Sequence, residues 1–179
     1  VLVLLPGSRQ SEVRRLLPIF GETLRLLSAR FPDLRVVVPV VPAVGEAVHR
    51  AIRDCPAPVL VVDQENKYDA FAASDAALAA SGTVSLELAL AGVPMVIGYR
   101  INPITAFSVR LLIRVPFVTL ANLILGRPLV PEFLQGRCRA TMLAAAVGDL
   151  LENPERRAAQ RRGLEEAMAR LGIGGPSPS

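Results

Sequence analysis

Hydrophobic residues in the first hundred positions follow two patterns, short continuous runs and spacing at every third or fourth position. The run at 1–5 ends at Pro6-Gly7-Ser8, after which apolar side chains recur at helical spacing up to about Arg30. This order predicts a strand, a tight loop and a helix. The alternation then continues, with predicted strands at 36–38, 59–62, 76–80 and 94–97 and predicted helices at 44–53, 67–73 and 84–91.

Such an alternation is typical of a Rossmann-like α/β fold, because short connections between strands favour a parallel sheet with right-handed crossovers and helices on both faces. We predict this core over residues 1–100. Beyond Tyr99 the pattern changes, and a helical part over 101–171, with helices near 139–151 and 154–171, completes or crosses over the domain. Residues 172–179 are rich in Gly, Pro and Ser and are predicted to be a disordered tail.

The composition excludes several classes of protein. With 51% hydrophobic and 20% charged residues, 179 residues can bury a sizeable core, but no segment approaches the ~20 uninterrupted apolar residues that cross a bilayer. The net charge of +4 comes from scattered arginines and a single lysine, Lys67, which argues against a nucleic-acid partner. Cys55 and Cys138 fit no metal-ligand spacing, so we expect reduced thiols in a cytoplasmic protein, with no metal and no cofactor.

The first residues of the chain bear on whether it is a whole protein. It opens directly on the strand-like run at 1–5, without an initiator methionine or the charged stretch of a signal peptide. We therefore expect a piece of a longer protein.

Ligands of open parallel sheets bind at the carboxyl ends of the strands, so the loops that follow strands are the first candidates for a site. The first such loop places Gly7 at the turn, the Ser8 hydroxyl at the expected N-cap and Arg9 in the first turn of a helix. Free backbone N–H groups and a guanidinium at that place favour a phosphate. An ordinary loop with a capping serine and a surface arginine is the alternative.

The loop Ser81-Gly82-Thr83 repeats this design after the fourth predicted strand, with small residues and two hydroxyls where the next helix begins. One turn further, Glu87 lies within an apolar stretch, where an unpaired buried charge would cost several kcal/mol. The vicinal hydroxyls of a ribose would satisfy its two oxygens, and an ion pair with an arginine or contact with solvent is the alternative. The sequence thus predicts a site for the diphosphate and sugar of a nucleotide.

A third group of polar residues follows the fifth predicted strand. Gly98-Tyr99-Arg100, with Asn102-Pro103, places a cation and an amide at the same end of the sheet. Asn122, Glu132 and Gln135 are further polar residues between apolar runs, but their spacing alone assigns them no role. No nucleophile–base pair and no lysine-bearing phosphate loop is recognisable in the sequence.

Taken together, these motifs resemble the lipid-A-disaccharide synthase family. The resemblance covers roughly residues 1–150 in the family's order. It rests on Leu-Pro-Gly-Ser-Arg at 5–9, Ser-Glu-Val at 11–13, Val-Pro-Val at 38–40, Ser-Asp-Ala-Ala-Leu at 74–78, the stretch from Ser81 to Glu87, Pro-Met-Val-Ile-Gly-Tyr-Arg at 94–100 and Asn122-Leu123.

The resemblance implies one half of a GT-B glycosyltransferase, the carboxyl-terminal half that binds the UDP-sugar donor. The family transfers 2,3-diacylglucosamine from its UDP derivative to 2,3-diacylglucosamine 1-phosphate in lipid A biosynthesis and releases UDP, without a metal. The resemblance further implies that six residues hold the diphosphate, that Glu87 holds the ribose and that Arg9 stabilises the leaving group. The six are Gly7, Ser8, Arg9, Ser81, Gly82 and Thr83, and the resemblance places Arg100, Asn122, Glu132 and Gln135 near the donor.

The family's amino-terminal half carries the acceptor side and the general base, so we expect this chain to bind UDP without transferring sugar. The helices after Tyr99 are expected to lack part of their packing surface and to support a homodimer. The apolar stretch 104–125, with Arg110 and Arg114, is either a core or dimer-interface segment or a peripheral contact with the inner membrane. Alternatives for the chain are a murein-precursor glycosyltransferase, a UDP-N-acetylglucosamine 2-epimerase, or a non-catalytic nucleotide-binding or dimerisation module.

Overall fold

The computed structural model describes residues 1–53, 55–100 and 117–172, which form a single six-stranded sheet covered by helices on both faces. The strands are β1 (Leu2–Leu5), β2 (Val36–Val40), β3 (Val59–Asp63), β4 (Ala76–Ala80), β5 (Met95–Tyr99) and β6 (Glu132–Leu134). All neighbouring strands pair in parallel, in the order β3-β2-β1-β4-β5-β6. The predicted Rossmann-like α/β fold is therefore confirmed.

The described helices lie close to the predicted ones in the first hundred residues. They are α1 (Gln10–Arg30), α2 (Pro42–Ile52), α3 (Lys67–Ala72), α4 (Thr83–Leu90), α5 (Leu120–Leu125), α6 (Ala140–Glu152) and α7 (Pro154–Arg170), with single 3-10 turns at Gln64–Asn66 and Gln135–Arg137. Hydrophobic periodicity identified α1 well because its buried face, which includes Val13, Leu17 and Leu24, repeats at the helical period over five turns.

The central strands β1 and β4 are buried along their whole length, and alternate residues face opposite layers of the core. Leu2 and Leu4 belong to the layer that packs against α1, α2 and α6. Val3 and Leu5 belong to the layer that packs against α3, α4 and α7. The continuous apolar runs of the sequence thus reflect burial on both faces of the sheet.

The region after residue 100 differs from the expectation in one element. Strand β6 lies in the part predicted to be helical, and it extends the sheet by pairing Ile97 with Glu132 and Tyr99 with Leu134. The sequence pattern could not identify it, because a strand of three half-buried residues has too few positions to show alternation.

Helices α6 and α7 pack onto this same sheet, contrary to the expectation that their apolar faces lack a packing surface. Leu143 and Val147 of α6 and Leu164 and Ala167 of α7 are fully buried. Arg30 of α1 also forms a bidentate ion pair with Glu152 of α6 at the surface. Both described helices therefore complete the core of the chain itself.

Several expectations fall on residues outside the described ranges. These are Asn102-Pro103, the apolar stretch 104–113 with Arg110, Arg114 and the tail from residue 173. Among the helices that the structure describes, none is both long enough and apolar enough to cross a bilayer.

Candidate functional site

A cleft of about 510 Å³ opens at the carboxyl ends of the central strands. It lies where β1 and β4 pair, with Leu5 opposite Ala79, so the loops that follow these two strands face each other. The chain winds outward in both directions from this point, towards β3 on one side and β6 on the other. Such a switch point is the usual ligand position in open α/β sheets, because two neighbouring loops there diverge and leave a crevice.

The structure brings seven of the eleven predicted site residues to this cleft. Its lining includes Gly7, Ser8, Arg9, Ser81, Gly82, Thr83 and Glu87, together with Glu12, Gln64, Lys67 and Tyr99. The other four predicted residues, Arg100, Asn122, Glu132 and Gln135, do not line it.

The loop after β1 turns at Gly7, whose φ of 108° lies in the left-handed region. This turn delays the helix, so that α1 begins at Gln10 and its N-cap is Arg9. The prediction that Ser8 caps the helix is therefore wrong: Ser8 is exposed in the loop, and the Arg9 side chain makes no capping hydrogen bond. Ser8 and Arg9, which precede the first turn of this 21-residue helix, line the cleft instead.

Arg9 is the exposed cation of the cleft. Its side chain is 79% exposed, and Nη1 lies 3.3 Å from Oε1 of Glu12, one turn along α1. An exposed pair of this kind holds a side chain weakly, so the guanidinium can turn towards an anion at modest cost. Glu12 also packs against Gly7, since a Cβ at residue 7 would lie 2.7 Å from Oε2 of Glu12.

The loop after β4 has a related design. Gly82 has a φ of 156°, a backbone conformation that residues with a side chain rarely adopt, and α4 begins at the next residue, Thr83. The Ser85 hydroxyl donates a hydrogen bond to the Gly82 carbonyl at 2.7 Å, which fixes the start of α4. Ser81 and Thr83 line the cleft, and the N-cap of α4 is Gly82, which has no side chain to cap the helix. Two helix starts therefore converge on one crevice.

Glu87 lies one turn into α4 and has a protein partner. Its Oε2 is 2.8 Å from Nζ of Lys67, whose side chain is only 9% exposed, while that of Glu87 is 31% exposed. The carboxylate therefore does not need a ribose to offset its burial, which removes that part of the sequence argument. A ribose contact stays a prediction, because Glu87 still lines the cleft.

Two charged residues of the cleft, Lys67 and Glu12, were not assigned to the site from the sequence. Lys67 follows the 3-10 turn after β3, so a search of every strand-following loop for cations would have found it. Glu12 lies three residues after Arg9, the spacing at which side chains on a helix become neighbours. It belongs to the motif Ser-Glu-Val, to which the family resemblance assigns no role.

Asn122 and Glu132 form a separate network between α5 and β6. The buried Asn122 amide donates to the Val130 carbonyl and to Glu132 Oε1, both at 2.8 Å, and accepts from the backbone N–H groups of Leu129 and Val130. Glu132 also accepts from the backbone N–H groups of Val118 and Thr119 and from the Thr119 hydroxyl. These side chains are hydrogen-bond partners for backbone groups at the start of α5 and just before β6. Their contact with the donor stays a prediction.

The side chain of Arg100, at the end of β5, contacts the backbone of Gln135. Arg100 Nε donates to the Gln135 carbonyl at 3.1 Å, and Gln135 has a positive φ of 50°. Cys138 lies beneath them as a buried free thiol. Burial raises the pKa of Cys138, while the positive charge of Arg100 and a hydrogen bond from the Tyr99 backbone act in the opposite direction.

Comparison with known sequences identifies relatives of the whole chain. A family model described as lipid-A-disaccharide synthetase matches residues 1–172. The lipid-A-disaccharide synthase of Rhodospirillum centenum is 54% identical over 180 residues, covering 100% of this chain and 45% of that protein. The synthase of Paramagnetospirillum magneticum is 51% identical, covering 99% of this chain and 46% of that protein.

Solved structures show the same fold at low sequence identity. The carboxyl-terminal domain of a group 1 glycosyl transferase from Francisella tularensis superposes with a TM-score of 0.60 at 11% identity, over 97% of this chain and 86% of that domain. MurG of Acinetobacter baumannii superposes at 0.58 and 17% identity, over 96% of this chain and 45% of MurG. A UDP-GlcNAc 2-epimerase from Neisseria meningitidis, solved with UDP-GlcNAc, superposes at 0.58 and 15% identity, over 96% of this chain and 43% of the epimerase.

These likenesses agree with the predicted fold, one Rossmann-like half of a GT-B glycosyltransferase. The chain spans about half the length of the curated relatives that it matches. The family model covers almost all of the chain, and the identity to several curated members exceeds 40%. This chain therefore belongs to the lipid-A-disaccharide synthetase family.

Proposed function

We propose that this chain is the UDP-donor-binding half of a lipid-A-disaccharide synthase. The whole enzyme would transfer 2,3-diacylglucosamine from UDP-2,3-diacylglucosamine to 2,3-diacylglucosamine 1-phosphate and release UDP. The observation that carries the proposal is the cleft at the junction of β1 and β4, where two helix starts and Arg9 face a common space. This combination suits a diphosphate, because N–H groups and a mobile guanidinium are its natural partners.

Family membership and identity favour this function over the alternatives with the same architecture. The murein-precursor glycosyltransferase and the 2-epimerase share the fold at 17% and 15% identity, whereas lipid-A-disaccharide synthases reach 54%. The epimerase of the same fold binds a UDP-sugar, which supports the choice of nucleotide. A purely non-catalytic binding module would not account for the length and identity of the match.

In the proposed site the diphosphate lies between the two loops. Gly7, Ser8 and Arg9 approach it from the β1 side, and Ser81, Gly82 and Thr83 approach it from the β4 side. Glu87 accepts hydrogen bonds from the ribose hydroxyls. Arg100 and Gln135, at the end of β5, and the Asn122–Glu132 network are proposed to shape the neighbouring donor region.

The chemical role of these residues is to stabilise the leaving group. The acceptor hydroxyl forms a bond to the anomeric carbon while the bond from that carbon to the diphosphate oxygen breaks, and the departing UDP gains negative charge. Arg9 and the N–H groups at the two helix starts would stabilise that charge, and electrostatic stabilisation of this kind often supplies the largest part of catalysis. The acceptor site and general base belong, by family resemblance, to the other half, so this chain alone binds donor without transferring sugar.

Calorimetric titration of this chain with UDP tests the proposal. We expect saturable binding of UDP and weaker binding of UMP, which lacks the second phosphate, and of ADP, which has another base. Arg9→Ala and Glu87→Ala should each weaken UDP binding by about tenfold or more, because each removes a charge-assisted hydrogen bond. Arg15→Ala and Glu65→Ala, at exposed positions that do not line the cleft, serve as controls and should change little.

Absence of UDP binding by the folded chain would contradict the donor-site assignment. Equal effects of the cleft variants and the control variants would contradict the residue assignments instead, and would leave UDP binding to another surface.

We also propose peripheral contact with the cytoplasmic face of the inner membrane, since the donor is acylated. Val118, Leu120 and Leu123 are exposed apolar residues at the start of α5, within the apolar stretch 104–125. Sedimentation with anionic lipid vesicles tests this contact, and Leu120→Ser with Leu123→Ser should reduce the bound fraction. A homodimer through the carboxyl-terminal helices is the competing use of this surface, which sedimentation equilibrium without lipid would detect.

A further inference from the structure

Lys67 is a charged residue of the cleft that lies outside the family motifs. It begins α3, immediately after the turn that follows β3, and it is the only lysine of the chain. Its Nζ lies 2.8 Å from Oε2 of Glu87 on α4, so that it joins two elements that are separate in the sequence. The ring of Tyr68 lies 4.9 Å from Nζ, in range of a cation–π contact.

The two cations of the cleft differ sharply in exposure. The side chain of Arg9 is 79% exposed and its partner Glu12 is 3.3 Å away, whereas that of Lys67 is 9% exposed and its partner is 2.8 Å away. An exposed guanidinium can reorient towards a ligand. The ammonium of Lys67 is enclosed, so moving it away from Glu87 would leave unpaired charges in a partly buried position, which is costly.

The charges that line the cleft also balance in pairs. Among its described lining residues, Arg9 and Lys67 are the basic ones and Glu12 and Glu87 the acidic ones. The charge of Lys67 is therefore largely neutralised by Glu87 and contributes little attraction to a diphosphate. Without Lys67, the Glu87 side chain would lose the ion pair that holds it at the edge of the cleft.

We infer that Lys67 is a positioning residue which holds Glu87 in the orientation that accepts hydrogen bonds from the ribose hydroxyls, and that it is not a phosphate ligand. The inference rests on the proposed UDP site and divides that site in two. The helix starts and Arg9 serve the diphosphate, and the Lys67–Glu87 pair serves the sugar of the nucleotide.

Comparison of UDP with 2′-deoxy-UDP separates the two roles, because the analogue keeps the diphosphate and lacks one of the hydroxyls. We expect the unmodified chain to prefer UDP by about tenfold, the usual effect of one hydrogen bond to a charged acceptor. Lys67→Met should reduce this preference to about one, and Lys67→Arg should retain most of it. Arg9→Ala, the matched control, should weaken both nucleotides equally and leave the preference unchanged.

A double substitution keeps the test decisive if Lys67→Met alone does not fold. The single variant Glu87→Gln is compared with the double variant that carries both Glu87→Gln and Lys67→Met. Thermal melts first show that both are folded, and calorimetry then measures their UDP affinity. If Lys67 acts only through Glu87, the second substitution leaves UDP affinity within about twofold of Glu87→Gln alone. A phosphate ligand would instead lose about a further tenfold in affinity.

The inference is overturned if Lys67→Met weakens UDP and 2′-deoxy-UDP equally, or if neither ligand responds to it. Failure of the proposed function gives a different result, since the unmodified folded chain would then bind neither nucleotide.

Discussion

The conformation of Gly7 shows how one residue determines the shape of the cleft. Its φ of 108° turns the chain away from β1, and the absence of a side chain leaves room for the Glu12 carboxylate. Glu12 in turn lies beside Arg9. A single backbone angle therefore controls both the loop that faces the ligand and the partner of its exposed cation.

We predict that Gly7→Ala destabilises the chain by about 1–3 kcal/mol, because a non-glycine residue at this φ is strained and its Cβ would displace Glu12. UDP affinity should fall as well, since the loop would have to move. Urea unfolding and calorimetry measure the two effects. Gly45→Ala is the control: this glycine lies within α2 with nothing near its Cβ position, and the change should stabilise by up to about 1 kcal/mol. Equal stability of the two variants would contradict the prediction.

At the scale of elements, the short helix α5 and the short strand β6 depend on side chains for their stability. Neither has enough backbone hydrogen bonds to persist alone, since a six-residue helix and a three-residue strand lie below the usual lengths. Asn122 and Glu132 supply the missing partners by binding backbone groups of Thr119, Leu129 and Val130. The side-chain network therefore takes the place of regular secondary structure along this edge of the sheet.

We predict that Asn122→Ala destabilises the chain by about 3 kcal/mol, because it leaves the buried N–H and carbonyl groups of Val130 without their partner. Leu123→Ala, at the exposed neighbouring position, should cost less than about 1 kcal/mol. Urea unfolding of the two variants is the measurement.

UDP affinity of the folded Asn122→Ala protein then distinguishes a structural role from the donor contact predicted by resemblance. Unchanged affinity supports the structural role. A loss of affinity without a loss of stability would show that Asn122 binds the donor.

At the scale of the whole molecule, the last two helices are part of the core. Leu164 and Met168 of α7 are buried beneath α4, and the Gln160 side chain accepts from the Met95 backbone N–H of β5 and donates to the Leu129 carbonyl. Each buried large side chain contributes about 1.5–3 kcal/mol. Together these two side chains contribute about 3–6 kcal/mol, a large fraction of the total stability of a typical domain, about 5–15 kcal/mol.

We therefore predict that removal of residues 154–179 abolishes the cooperative thermal transition, since it exposes one face of β5 and the outer side of α4. Removal of 173–179 alone, beyond the end of α7, should leave the midpoint within a few degrees. Circular dichroism melts of both shortened chains provide the comparison. A normal transition after the longer deletion would show that α7 is dispensable for the sheet.

The sequence by itself determined the elements whose pattern repeats over many residues. The buried run of β1, the periodic face of α1 and the small-residue strand β4 were predicted within a few positions, because burial on both faces of a sheet and one face of a helix leaves a regular trace. The same regularity predicted that the loops at Gly7 and Gly82 lie at one end of the sheet. Pairing of β1 with β4 places them together in the structure.

Only the tertiary structure decided the partners of the polar residues. Glu87 meets Lys67 across 20 positions of sequence, Asn122 meets Glu132 and Val130 beyond a turn, and β6 joins the sheet through a partner more than thirty residues earlier. The N-cap of α1 is Arg9 and not the predicted Ser8, because the turn at Gly7 sets the path of the backbone. The local sequence pattern indicates which residues are buried. It does not indicate which distant donor or acceptor will form a hydrogen bond with a given polar group, because that depends on how the elements pack together.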